Sequence, residues 1–170
     1  GGDIINTWRG LIGPTNSAKA KEEAPSSIRA MFGSDGTRNS VHGADSSESA
    51  QRELSIVFGK GNRIKNIPQL SNCSCLIIKP HIIKEGKAGR IIDIILSSGF
   101  EISSMEMFYL DKVTAEEFFE VYKGVLAEYS SIIDEVSSGP VIAMEVRQEN
   151  VVEGLRSIVG PHDPEIAKIL

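Results

Sequence analysis

The 170-residue sequence has only two cysteines, one tryptophan and three histidines, and aromatic residues make up 6% of it. So few cysteines exclude a disulfide framework, and two thiols alone do not make a zinc site. Cys73 and Cys75 lie two positions apart in an apolar stretch, a spacing that does not suit a disulfide between them. We therefore expect two buried free thiols, as in a reducing cytoplasm.

The sequence also lacks long apolar runs and a strong excess of one charge. No run approaches the length of a membrane span, and no signal peptide is evident, so no membrane partner is expected. The net charge of −5 argues against DNA binding by bulk electrostatics. A length of 170 residues suits one domain of ordinary size with a real core.

Residues 37–53 are the most informative stretch of the chain. They predict a short extended run that ends at His42, a glycine turn, and the start of a helix. Asp45 and Ser46 are both good N-cap residues, and Asp45 with Glu48 forms a capping-box-like pair. Beyond the cap, helical spacing predicts one buried apolar face, formed by Ala50, Leu54, Val57 and Phe58.

The same stretch can support nucleophilic chemistry at His42. Ser49 and Glu53 lie four residues apart on the predicted helix and can point back at His42. A carboxylate on one ring nitrogen fixes the tautomer and leaves the other nitrogen with its lone pair. Arg38 and the nearby helix N-terminus favour a bound phosphate. The alternative from spacing alone is a surface histidine in a turn.

These residues resemble the active-site signature of the nucleoside diphosphate kinases. The matching positions read Arg38-Asn39-x-x-His42-Gly43-x-Asp45-Ser46-x-Glu48-Ser49-Ala50-x-x-Glu53. The resemblance implies that His42 becomes phosphorylated, that Glu53 orients it, and that Asn39 contacts the nucleotide. Ala44 departs from the family pattern, which usually has a serine there whose hydroxyl supports the Glu–His pair.

The resemblance also implies a set of substrates, a cofactor and further binding residues. The reaction would pass a phosphoryl group from a nucleoside triphosphate to His42 and then to a nucleoside diphosphate, with Mg²⁺ bound to the nucleotide. His162 stands where the family has a threonine, and the family's base-stacking phenylalanine has no clear counterpart. The implied nucleotide-binding residues are Arg9, Thr15, Arg29, Asn39, Lys79 and Arg156.

Residues 3–14 recur as residues 150–161, with apolar, arginine, glycine and proline positions in register. A repeat with a period of about one domain predicts two family-like pieces. We expect the C-terminal part of a first domain at 1–58, a linker at 59–72, and the N-terminal part of a second domain at 73–170. Two hypotheses follow. The chain is either a piece of a longer enzyme or a circular permutant in which Lys79 meets His42.

The predicted fold class is α/β, a ferredoxin-like antiparallel sheet with packed helices. Residues 73–78 and 141–145 are expected to be neighbouring strands, 101–110 a further strand, and His81 a loop residue. Thr114 is expected to cap a helix with a stripe of apolar residues at 118–126. That stripe is more typical of a core than of a lip that binds the base.

Within the family, the chain is most similar to a two-domain type found in cilia and centrosomes. That likeness implies a phosphotransferase associated with ciliary or centrosomal microtubules, in the cytoplasm and cytoskeleton. The alternative is an axonemal scaffold with weak or no kinase activity. Tubulin or microtubule-associated axonemal proteins are the partners expected in either case.

Overall fold

The computed structural model describes residues 3–59, 67–161 and 164–169. The chain divides into two compact units, Gly1–Lys65 (unit 1) and Asn66–Leu170 (unit 2). Half of the predicted linker, 60–66, and His162 lie outside the described residues.

Unit 1 consists of four helices joined by short loops. They are α1 (Ile4–Ile12), α2 (Ser17–Glu23), α3 (Ile28–Phe32) and α4 (Ser47–Phe58). Each begins at a side chain that accepts backbone N–H groups of the first turn, from Asp3, Asn16, Ser27 and Ser46 respectively. The prediction that Ser46 can cap α4 is confirmed. Ser46 accepts from the amide of Ser49, and no bond joins Asp45 to Glu48 in the described residues.

Small residues form the interior of unit 1, where α2 packs against α3. Ala20, Ala30 and Ser17 are buried there, and the hydroxyl of Ser17 donates to the carbonyl of Asp35 at 2.9 Å. A Cβ on Gly33 would collide with that hydroxyl. Only glycine at this position therefore lets the loop after α3 come this close to α2.

The prediction that one face of α4 is buried is wrong. No residue of α4 is buried, and Leu54, Val57 and Phe58 are 56%, 45% and 79% exposed. Helical spacing shows which residues share a face, but it does not show what covers that face.

Unit 2 contains three strands and six α-helices among its described residues. The strands are β1 (Cys73–Ile78), β2 (Glu101–Tyr109) and β3 (Pro140–Arg147). The helices are α5 (Pro80–Lys84), α6 (Ala88–Ser97), α7 (Lys112–Phe118), α8 (Tyr129–Val136), α9 (Val151–Val159) and α10 (Pro164–Ala167).

The three strands form one antiparallel sheet in the order β1-β3-β2. Met144 of β3 pairs with Leu76 on one side and with Met105 on the other, and a bulge interrupts β2 between Ile102 and Ser104. The prediction that 73–78 and 141–145 are neighbouring strands is therefore confirmed.

Side chains alternate across β3, so its two faces build separate cores. Met144 and Val146 pack with residues of α6 and α9: Ile95, Val151 and Leu155. Val141 points the other way and packs with residues of α7 and α8: Ala115, Ile133 and Val136. Helices thus pack against both faces of β3.

Four predictions for unit 2 are wrong. Helix α7 is capped by Asp111 rather than Thr114, and the apolar stripe at 118–126 is broken by a 3₁₀ turn (Glu120–Tyr122). Most of that stripe is exposed, as at Phe118, Tyr122 and Val125. Cys73 is half-buried and Cys75 is exposed, because β1 lies at an edge of the sheet. His81 lies on α5 rather than in a loop.

Candidate functional site

His42 and Glu53 meet through a direct contact in unit 1. Nε2 of His42 lies 2.9 Å from Oε2 of Glu53, which projects from the second turn of α4. The ring of His42 is 76% exposed, while the carboxylate of Glu53 is 31% exposed. Because Glu53 holds Nε2, Nδ1 is the ring nitrogen left without a hydrogen-bond partner among the described residues.

Gly43 fixes the chain directly after His42. A Cβ at Gly43 would lie 2.5 Å from Nε1 of Trp8 and 2.9 Å from Cδ1 of Ile12. Only glycine therefore allows the His42 segment to lie against α1 at this distance.

His42 and Glu53 line a cleft of about 940 Å³ that lies within unit 1. The predicted residues Arg9, Thr15, Arg29 and Asn39 line the same cleft. The structure thus brings together all six site residues that the sequence predicted before the linker.

Arg29 is the buried cation of the cleft wall. It is 7% exposed, and its guanidinium donates from Nη1 to the carbonyl of Gly13 at 2.9 Å and from Nη2 to the carbonyl of Val41 at 3.0 Å. Its Nε is buried and has no hydrogen-bond partner among the described residues. A buried donor without a partner is costly, so a ligand acceptor that reached Nε would remove an unsatisfied group.

Asn39 and Arg38 order the loop that leads to His42. Nδ2 of Asn39 donates to the carbonyls of Thr15 and Gly36, at 3.1 and 3.3 Å. Arg38 forms an ion pair with Asp35 at 2.8 Å. The backbone amides of Arg38 and Thr37 and the Arg38 side chain lower the pKa of Asp35. The charge of Arg38 is thus partly engaged before any phosphate arrives.

Asp45 and Arg52 also line the cleft, and the sequence did not predict them as site residues. A hydrogen bond with the Ser49 hydroxyl lowers the pKa of Asp45, and the positive charges of Arg9 and Arg52 act in the same direction. Helical spacing was the available signal for Arg52, because positions 49, 52 and 53 share one face of α4.

The two predicted residues of unit 2 do not share a described cavity. Lys79 precedes α5 and lines a small cleft with aliphatic side chains, whereas Arg156 lies in the last turn of α9 and does not line that cleft. The proximity of Lys79 to His42 stays a prediction, since the two residues belong to different units.

Neither metal clusters nor membrane helices occur in the described ranges. Across 3–59, 67–161 and 164–169, no group of three or more His, Cys, Asp or Glu side chains is placed to hold a metal ion. In those ranges no helix is long and apolar enough to cross a membrane.

Comparisons with known proteins give a consistent result. The profile of the family described as "Nucleoside diphosphate kinase" matches residues 1–62 and 72–169. The chain is 48% identical over 170 residues to nucleoside diphosphate kinase homolog 7 of Rattus norvegicus and 46% identical to that of Mus musculus. Each match covers 99% of this chain and 43% of the relative, so the chain spans less than half of these proteins.

A solved structure is also similar. The nucleoside diphosphate kinase of Aquifex aeolicus superposes with a TM-score of 0.53 at 31% sequence identity. The superposition covers 56% of this chain and 67% of that one.

Proposed function

Because the chain belongs to the nucleoside diphosphate kinase family, whose ferredoxin-like antiparallel sheet unit 2 shares, we propose that unit 1 carries a phosphoryl-transfer centre with His42 as the nucleophile. The substrates are nucleoside triphosphates and diphosphates, and the intermediate is a phosphohistidine. The contact between His42 and Glu53 is the observation that carries this proposal.

The geometry assigns a role to each ring nitrogen of His42. Nε2 carries the proton that is donated to Glu53, so the lone pair of Nδ1 is free to attack the terminal phosphorus. The new N–P bond forms as the bond from phosphorus to the bridging oxygen breaks, and the nucleoside diphosphate leaves. The carboxylate of Glu53 stabilises the positive charge that the ring gains. A second nucleoside diphosphate reverses the step.

The cleft supplies donors for the transferring phosphoryl group. Catalysis of this reaction depends mainly on positioning and on stabilising negative charge. Arg9 and Arg52 bring positive charge to the cleft, Arg29 lines it with an Nε that has no partner among the described residues, and Thr15 adds a hydroxyl. These groups converge on the cleft that His42 lines.

Mg²⁺ is expected to enter with the nucleotide. It prefers oxygen ligands and commonly keeps several waters together with phosphate oxygens and one carboxylate. Asp45 fits this requirement, since its lowered pKa keeps its carboxylate ionised at neutral pH. When bound, the ion would neutralise charge on the phosphates.

Labelling with a γ-³²P nucleoside triphosphate tests the nucleophile. The wild-type chain should give an acid-labile, base-stable phosphoprotein, and His42→Ala should abolish that label while circular dichroism stays unchanged. His162→Ala is the matched control and should label as the wild type does. Undiminished nucleotide-dependent labelling of His42→Ala would show that another residue is the nucleophile.

A location at ciliary or centrosomal microtubules is the second part of the proposal, with tubulin or axonemal microtubule-associated proteins as partners. A scaffold role with weak or no kinase activity is the alternative function, and Ala44 favours it. A methyl group cannot donate to Glu53, whose partners among the described residues are His42 and Arg52. Co-sedimentation of wild-type and His42→Ala chains with polymerised tubulin tests the scaffold role. Equal binding of both, together with absent labelling, would support it.

A further inference from the structure

Unit 2 contains a second histidine–glutamate pair. Nδ1 of His81 lies 2.7 Å from Oε1 of Glu135, and the backbone N–H of His81 donates to the same oxygen at 3.2 Å. His81 lies on α5 and Glu135 on α8, so two elements packed together hold the pair. Both the ring and the main chain of His81 are thereby fixed relative to one carboxylate.

The pair leaves one ring nitrogen of His81 available. Hydrogen bonding with His81 is the largest cause that lowers the pKa of Glu135, so the carboxylate is ionised and accepts the Nδ1 proton. Nε2 then carries the lone pair, and it has no hydrogen-bond partner in the part of the chain that the structure describes. The side chain is 49% exposed, so small reagents can reach it.

A cation lines the same cleft as His81. Lys79 precedes His81 by two residues, and both line a cleft of about 320 Å³ whose other walls are aliphatic. Lys79 forms no ion pair with any described carboxylate, although its charge contributes to the lowered pKa of Glu135. An anionic group in this cleft would meet an ammonium group in surroundings that screen charge less than bulk water does.

We propose that His81 is a second phosphoacceptor and that Nε2 is its reactive atom. The chemistry to which these groups are suited is transfer from a small phosphoryl donor such as phosphoramidate. The Nε2 lone pair attacks phosphorus, the P–N bond of the donor breaks, and ammonia leaves with a proton from solvent. Glu135 holds the tautomer and stabilises the positive ring, while Lys79 offsets the charge of the phosphoryl group.

The two histidine–glutamate pairs differ in a measurable way. Glu53 engages Nε2 of His42, whereas Glu135 engages Nδ1 of His81. Phosphorylation would therefore give the Nδ1 isomer at His42 and the Nε2 isomer at His81. The sites can be distinguished by the isomer as well as by the residue.

Phosphoramidate labelling of the full chain tests the proposal. The chain has three histidines, so His42→Ala/His162→Ala isolates His81. We expect the Nε2 isomer by ³¹P NMR, formed at least about tenfold faster than in the same chain unfolded in urea. A rate equal to that of the unfolded chain would overturn the proposal, because it would show only the intrinsic reactivity of an exposed imidazole.

Variants of the supporting residues separate a reactive site from a surface ion pair. In the same background, Glu135→Gln and Lys79→Ala should each slow labelling at least about tenfold with folding unchanged by circular dichroism. Asp134→Asn and Lys84→Ala are the matched controls on α8 and α5 and should leave the rate unchanged. Rates unchanged in both test variants would assign the pair a purely structural role. Nucleotide-dependent labelling of His42 is measured separately, so the two proposals can fail independently.

Discussion

Gly13 and Gly160 have the same backbone conformation, although they lie 147 positions apart in the chain. Their φ and ψ angles are 79° and −179° at Gly13, and 78° and −176° at Gly160. Each ends a helix by donating its N–H to the carbonyl of an arginine four residues earlier, Arg9 or Arg156. The sequence repeat is therefore a repeat of local structure.

This conformation is almost exclusive to glycine, so Gly13→Ala should destabilise unit 1 by about 1–3 kcal/mol. The added Cβ would also collide with Oγ of Ser27. Trp8 is the single tryptophan and belongs to unit 1, so its fluorescence during urea unfolding is the measurement. Gly10→Ala is the control. It lies inside α1 with nothing within 4 Å of the new methyl, and it should stabilise by about 0.5–1 kcal/mol.

Glu53→Gln should slow phosphorylation of His42 by about 10²-fold, because a neutral amide holds the ring but cannot stabilise its positive charge. The measurement is the single-turnover rate of labelling with a γ-³²P nucleoside triphosphate. Glu48→Gln makes the same chemical change on the exposed side of α4 and should leave the rate within about twofold of the wild type. Equal rates in Glu53→Gln and the wild type would refute the role of Glu53.

Met144→Ala should destabilise unit 2 by about 2–5 kcal/mol, since Met144 is 1% exposed and lies in the larger core. Thermal unfolding followed by circular dichroism measures this loss of stability. Met107→Ala removes the same atoms from a side chain that is 52% exposed and should cost less than about 1 kcal/mol. Similar losses in both variants would mean that the described core of unit 2 is wrong.

Glu145 should make the segment before β1 sensitive to acid. Its carboxylate accepts from the hydroxyl of Ser103 at 2.6 Å and from the amides of Gln69 and Leu70 at 2.9 and 3.1 Å. The Ser103 bond is the largest cause that lowers the pKa of Glu145. A lowered folded-state pKa means that the stabilisation is complete above the unfolded value of about 4.3 and is lost as pH falls through the folded value.

Hydrogen exchange of the Gln69 and Leu70 amides measures this effect. Glu145→Gln should speed their exchange at neutral pH, and Ser103→Ala should raise the pH at which protection is lost. Glu106→Gln, on the exposed part of β2, is the control and should change neither. Protection that persists well below the folded pKa would contradict the assignment.

The sequence predicted most of the elements that carry local signals. The apolar run at Cys73–Ile78 and the helix ended by Gly13 and Pro14 are where they were expected. The contact of His42 with Glu53 followed from the signature and from helical spacing. These features depend on residues close in sequence, so one sequence suffices to predict them.

Features that depend on distant residues were not predictable. His81 and Glu135 lie 54 positions apart, and nothing in the sequence between them would pair them. Arg29 was expected only to bind nucleotide, and nothing local shows that it is buried and bonded to two carbonyls. The prediction of a buried face on α4 failed for the same reason, because whether a helix face is covered depends on tertiary structure.

The burial of Arg29 links ligand binding to folding. Its guanidinium joins the carbonyl after α1 to the carbonyl before His42, and Arg29 also lines the cleft, with an Nε that has no partner among the described residues. A phosphate that satisfied Nε would bind the native unit and not the unfolded chain, so it would raise the unfolding temperature as its concentration rises. The affinity for phosphate and the stability of unit 1 would then depend on the same set of hydrogen bonds. A substitution that loosened Arg29 would weaken both together.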